Sequence, residues 1–353
     1  MHAEYAPIPV VAQADHCSST HFFDAENADA DGNGSIVTVT VNAWLLLMAV
    51  TAIAATPQSA PARPPAMDEP IAALVNGFHG VIGVAAIDLE THEEIAINAD
   101  LRFPTASTIK TAVMIEAYHQ IAEGSLTLDT VLPVRESEKV GGSGVLRQLH
   151  DGLGLTVSDL LYLMIALSDN TATNLLVNRL GTARIDDRLA AYGFKETRIF
   201  RPTFRDGRAD VLPDLEKEFG LGMTTPREMA RLMALIADRK AVSAAASEAM
   251  LATLQKQQDR AMIPRFLPSD ARLEIGNKTG TDEEKQPGPN GVRGQVRSDA
   301  AIVTGPNLRY VIAIYTRQVR DTRWTIDNDA LTTGARISKL IYERFAAAHT
   351  KTR

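Results

Sequence analysis

Residues 81–89 and 94–98 are short, β-branched apolar runs on either side of Glu90-Thr91-His92-Glu93, and they predict two paired strands. Residues 105–121 are apolar on most faces at helical spacing, which predicts a buried helix. Two further apolar helical stretches, 155–167 and 171–180, are interrupted at Ser168-Asp169-Asn170. Residues 226–238 form an amphipathic pattern with Pro226 at the first helical position. Near the end, residues 299–304 and 310–316 flank the turn Gly305-Pro306-Asn307-Leu308, and 329–348 close the chain as an amphipathic helix. Strands, a long helical stretch, then strands and a final helix predict an α+β fold. Its antiparallel sheet, flanked by helices, would be built from the N- and C-terminal segments (67–101 and 265–353). Residues 102–264 would form an inserted all-helical lobe.

The first 66 residues read differently. Residues 1–35 show no sustained period and are expected to be disordered, or to precede the true start of translation. Residues 36–55 are uncharged and mostly apolar, and small residues follow to Ala66. That order resembles a secretory signal, although no Lys or Arg precedes Arg63. About 20 apolar residues would also serve as a membrane tether. The expectation is export, to the periplasm or the medium, from an extension at 1–66 ahead of a catalytic domain at 67–353. Asp29-Ala30-Asp31-Gly32-Asn33-Gly34-Ser35 matches the opening of a calcium loop. The twelfth position is Thr40 where a bidentate Glu is needed, so an acidic, Gly-rich turn is expected.

The chain has 353 residues, 45% hydrophobic and 22% charged, with a net charge of −7. These are globular values. The acidic balance argues against a nucleic-acid partner. Cys17 is the sole cysteine, so no disulfide framework or thiolate cluster forms within one chain. The eight histidines show no clustered metal spacing, and no cofactor is expected.

Three short patches carry chemistry. In Ser107-Thr108-Ile109-Lys110, a spacing of three puts the serine and the lysine on one helix face. A buried lysine resists protonation and can take the serine's proton. In Ser168-Asp169-Asn170, a hydroxyl can relay a proton and an amide can hold a substrate amide. In Lys278-Thr279-Gly280-Thr281, an ammonium and a hydroxyl at a strand edge suit a carboxylate, and Gly280 admits a close backbone. Each patch alone is more simply a cap or a turn.

Together and in this order, S-x-x-K, S-D-N and K-T-G are the signature of class A β-lactamases and penicillin-binding proteins. The chain resembles the class A family over roughly residues 72–345, including the stretches LTVSDLLYLMIALSDNTATNLLV and TTPREMARLM. The resemblance implies that Ser107 is the acylated nucleophile and Lys110 a base. Ser168 would pass a proton to the β-lactam nitrogen, and Asn170 would hold the substrate's side-chain amide. Lys278 and Thr279 would bind its carboxylate, with Arg297 as a further carboxylate contact. The N–H groups of Ser107 and Thr281 would form the oxyanion hole. The implied partner is a small β-lactam or peptidoglycan-like molecule, acted on by a monomer without metal.

The sequence departs from the family in one place. A Glu on a loop before the T-T-P helix, in a pattern like E-P-x-L-N, activates the deacylating water. Here the stretch is Val211-Leu212-Pro213-Asp214-Leu215-Glu216, and aligning its Pro and Leu puts Leu212 at the Glu position. Glu216 then falls at the Asn position and is expected either to take over as base or to face solvent. The alternatives are a penicillin-binding peptidase, esterase or amidase on the same scaffold, and a non-catalytic receptor for β-lactams or wall fragments.

Overall fold

The computed structural model describes residues 69–288 and 291–351. The proposed leader or tether and the acidic turn before it lie outside these residues. The chain opens with α1 (Glu69–Asn76), β1 (Val81–Asp88) and β2 (Glu94–Ile97). Then come β3 (Phe103–Pro104), a 3₁₀ turn (Ala106–Ile109) and α2 (Lys110–Ala122). The middle holds β4 (Val131–Val134), β5 (Leu153–Thr156), α3 (Val157–Ala166), α4 (Asn170–Leu180) and α5 (Thr182–Ala191). It continues through β6 (Arg198–Ile199), α6 (Pro213–Phe219), β7 (Gly222–Thr224), α7 (Pro226–Ala237) and α8 (Ala244–Leu254). The chain closes with β8 (Glu274–Glu283), β9 (Gln295–Gly305), β10 (Leu308–Val319) and α9 (Asp329–Lys351).

Five strands form one antiparallel sheet in the order β2-β1-β10-β9-β8. The first and last parts of the chain therefore share a sheet, as the α+β reading expects. Period-2 alternation sorts the side chains of β10. Val311, Ala313 and Tyr315 join the core shared with α2, α3, α4 and α7. Tyr310, Ile312 and Ile314 join a second core beneath α1 and α9, with Ile71, Ile337, Ile341 and Phe345. Both faces are covered, which is why these strands read as continuous apolar runs rather than alternating ones.

The inserted segment is mainly helical but also carries two small strand groups, β3-β7-β6 and β4-β5. At two to four residues each, these strands are too short to produce a period-2 signal. The helix expected from residue 105 begins instead as a 3₁₀ turn, and α2 proper starts at Lys110.

Candidate active site

The nucleophile candidate sits where the sheet meets the helical segment. Thr105 O accepts from Thr108 N at 3.2 Å and from Thr108 Oγ1 at 2.7 Å, and Thr108 Oγ1 also meets the buried Tyr315 Oη at 2.6 Å. The turn bearing Ser107 is thus bolted to β10. The 3₁₀ turn covers Ala106–Ile109 and Lys110 opens α2 directly after it, three positions on from Ser107, a spacing that sets the two on one side of the helix start. Ala106 and Ser168 both adopt left-handed backbone (φ 44° and 55°), a costly conformation for non-glycine residues that concentrates at functional sites.

Strand β8 runs tight against this turn. A Cβ on Gly280 would stand 2.4 Å from Ser298 Oγ and 2.8 Å from Thr105 O, so only glycine permits the approach. It brings Thr279 and Thr281 to the cavity that Ser107 and Ser168 also line. The backbones of Ser107 and Thr281 therefore border one space, as an oxyanion hole requires.

Two ammonium groups converge on one hydroxyl. Lys110 Nζ lies 3.0 Å from Ser168 Oγ, 2.7 Å from Ser168 O and 2.8 Å from Asn170 Oδ1. Lys278 Nζ lies 3.0 Å from the same Ser168 Oγ and donates to Thr279 O at 2.7 Å. Because Ser168 Oγ accepts from both amines, its own proton is free to be donated into the cavity. Both lysines are fully buried. Burial, with the Lys278 charge as a second cause, holds Lys110 well below the ordinary lysine range. Burial also brings Lys278 down to about 7, opposed by Asp259 and Asp299. A neutral amine beside Ser107 is a base. A protonated one beside Thr279 is an anion site.

Asp169, the middle residue of its patch, is structural. Its Oδ2 accepts from Val145 N (2.6 Å) and Leu146 N (2.9 Å), and its Oδ1 accepts from Ala172 N (2.9 Å) as the cap of α4. Asn170 donates from Nδ2 to Gly141 O at 3.0 Å while its Oδ1 holds Lys110, so its amide braces the glycine-rich turn as well as bordering the cleft.

Two of the expected residues stand apart from this cluster. Arg297 is buried, with Nη1 donating to Gln295 Oε1 (3.0 Å) and Val296 O (2.9 Å) and its guanidinium 4.8 Å from the Trp324 ring centre. On β9 it is the adjacent Ser298 that faces the nucleophile turn, its Oγ 3.3 Å from Thr105 O. Arg297 pairs across the sheet with Thr281, and its guanidinium lies under Trp324, which lines the cavity that Ser107 lines. Glu216 is buried too, and does not face solvent. Its Oε1 accepts from Arg201 Nε at 2.7 Å and Gly207 N at 3.1 Å. The 200–212 loop presents Arg201, Thr203, Phe204 and Asp206 to the cavity that Ser107 lines, so the partner of Glu216 borders the cleft although Glu216 itself does not. Thr203 is held firmly. Asn174 clamps it, accepting from Thr203 N (2.7 Å) and Oγ1 (2.9 Å) and donating to Thr203 O (3.1 Å). Leu212 is 44% exposed at the start of α6 and borders neither cavity that Ser107 lines.

Ser143, Thr203, Phe204 and Trp324 also border the cleft, and sequence reasoning missed them. None of the four lies in a motif that marks it for the cleft.

A sheet spliced from both ends of the chain, a helical insert, and a serine at a turn with two buried lysines around a second serine make up the fold and its candidate site. The profile of the Beta-lactamase enzyme family matches residues 66–345, and the chain belongs to that family. It is 29% identical to β-lactamase CARB-4 of Pseudomonas aeruginosa over 136 residues, 38% of this chain and 47% of that protein. The chain thus spans about half the length of the curated relatives it matches. The structure of a β-lactamase from Sphaerobacter thermophilus superposes with a TM-score of 0.66 at 31% identity, covering 78% of this chain and 97% of that one. A mutant of PBP-A, solved as its acyl-enzyme with penicillin G, superposes at 0.65 with 25% identity over 78% of this chain and 94% of that one.

Proposed function

We propose that the chain is a serine hydrolase that opens the β-lactam amide through an acyl-enzyme on Ser107. The observation that carries this reading is the Lys110–Ser168–Lys278 convergence beside Ser107. Ser107 Oγ attacks the lactam carbonyl carbon while its proton passes to the neutral Lys110 amine. The carbonyl oxygen becomes an oxyanion facing the Ser107 and Thr281 N–H groups. The C–N bond then breaks, and the nitrogen takes the free proton of Ser168 Oγ, which Lys110 replaces. Lys278, with Thr279, holds the substrate carboxylate. Water later adds to the ester and restores Ser107. Export by way of residues 36–55 belongs to the same reading and rests on the sequence pattern alone.

The release step separates two readings. A β-lactamase needs a base on the hydrolytic water. A penicillin-binding peptidase acting on wall peptides would retain a β-lactam acyl group. The Arg201–Glu216 pair favours the second, since Glu216 Oε1, one of the two oxygens a base there would use, is held by Arg201 and Gly207. Intact mass after β-lactam addition, followed over time beside turnover of a chromogenic cephalosporin, tests both. An adduct at Ser107 that decays with steady turnover supports a β-lactamase. A stoichiometric burst with a persistent adduct supports penicillin binding. Absence of both adduct and turnover, or either one surviving Ser107→Ala, overturns the whole proposal.

A further inference from the structure

Arg297 is a buried cation with a donor group to spare. It is 3% exposed, and Nη1 is fixed by Gln295 Oε1 and Val296 O, but Nη2 is buried with no hydrogen-bond partner among the described residues. An unmade donor on a buried charge is costly and calls for a reason. Arg297 lies opposite Thr281 across β8 and β9, and opposite residues of an antiparallel pair share a face. Thr279, two positions along β8, shares that face too. Both threonines line the cavity that Ser107 lines. The spare donor therefore flanks the anion site that Lys278 and Thr279 make.

Trp324 covers it. The ring lies 4.8 Å over the guanidinium, is itself 73% exposed, and lines the cavity of about 660 Å³ beside Ser107. The backbone around the ring is fastened. Asp321 accepts from Arg323 Nη2 (2.7 Å) and Asp329 N (2.7 Å), and Asn328 donates to Asp321 O (2.9 Å) and Arg323 O (3.1 Å). The ring makes no hydrogen bond among the described residues, so its stack on Arg297 is what orients it. It can thus rotate on its own side-chain bonds without moving the loop. A cation–π contact at an exposed ring is also weaker than a charge-assisted hydrogen bond from guanidinium to carboxylate.

We propose that Trp324 is a gate on Arg297. In the free protein the ring shuts the guanidinium off. A substrate carboxylate that has reached Lys278 and Thr279 displaces the ring and takes the spare Nη2 donor, so the gate sets how strongly acylation favours anionic substrates. The inference rests on the acylation of Ser107 proposed above and adds the residue that controls access to its anion site.

The test uses the full chain with one penicillin and its methyl ester, which lacks the anion. The second-order constant for acylation is taken from adduct growth by intact mass or, where the adduct turns over, from kcat/KM. Tryptophan emission is followed in parallel, Trp44 being the only other tryptophan. The penicillin should change the emission, and the change should be absent with the ester and in Trp324→Phe. Trp324→Ala, at an exposed position, should raise the acid-to-ester ratio of acylation constants about threefold or more, because no ring has to be displaced. In an Arg297→Gln background the same replacement should move that ratio less than about twofold. An emission change equal for acid and ester, a ratio unchanged or lowered by Trp324→Ala, or a rise that persists without Arg297 overturns the gate while leaving Ser107 acylation intact. A wild type that neither forms an adduct with either compound nor turns it over removes the reading beneath it and the gate together.

Discussion

Replacing Glu216 by Gln separates a loop anchor from a deacylating base. Glu216 is 3% exposed and Arg201 2%, so the pair is withdrawn from water. Removing one charge of such a pair costs about 3–5 kcal/mol, because the other is left buried without compensation. Gln keeps an oxygen that accepts from Arg201 Nε and Gly207 N, and Asp206 still contacts Arg201, which places the cost near the lower end, about 3 kcal/mol. That lowers the folding equilibrium constant about a hundredfold. Urea unfolding measures this, and the double variant Arg201→Met, Glu216→Leu should recover more than half of the loss. The folded fraction of Glu216→Gln, acylated with a β-lactam and followed by mass, should keep its acyl-enzyme lifetime within about twofold. Stability within about 0.5 kcal/mol of the parent, with a lifetime lengthened more than about tenfold, would refute the anchor and restore Glu216 as the base.

Three more outcomes follow from the same geometry. Lys110→Ala should cut acylation by about three orders of magnitude or more while the fold persists, checked by adduct formation and circular dichroism. Acylation of the free protein should fall on the alkaline side as pH rises through about 7, where Lys278 loses the charge that binds carboxylate, and on the acid side as Lys110 gains a proton. Lys278→Ala should abolish the alkaline limb and move the acid limb to higher pH, because the Lys278 charge helps hold Lys110 down. Gly280→Ala should force β8 off the nucleophile turn, lose about 1–3 kcal/mol of stability and cost acylation more than about tenfold, read by urea melts and adduct formation.

The sequence made the α+β order and the convergence of Lys110, Ser168 and Lys278 legible, and did so for physical reasons. Apolar runs long enough to show a period, such as β10 and α7, announce themselves. Ser107 with Lys110, and Ser168 with Asn170, are near neighbours along the chain, so spacing alone groups them. What spacing does not encode is long-range pairing. Glu216 and Arg201 meet across a loop whose turns are set by Asn174 on another element, a pairing that aligning Pro213 and Leu215 does not reveal. The covering of Arg297 by Trp324 is another such long-range pairing, set by a segment that follows β10. Phe204 and Trp324 stay invisible because exposed aromatics outside a periodic pattern look like ordinary loop residues until the fold sets them around one space.

The two lysines are best understood as one device. Each alone is expensive, since burying an ammonium costs several kcal/mol unless it is paired or neutral. No carboxylate bonds either amine directly among the described residues; the hydrogen-bonding partners are carbonyl, hydroxyl and amide oxygens. Two cations sharing Ser168 Oγ repel, so the arrangement is relieved when one of them gives up its proton, and Lys110 is the one pushed down by the other's charge. A substrate carboxylate seated on Lys278 favours the protonated form there, and its own negative charge offsets part of that repulsion at Lys110. Occupancy of the anion site and basicity of the amine beside Ser107 are therefore linked through a shared hydroxyl. The proton that Ser168 Oγ has left to give is released where the leaving nitrogen departs.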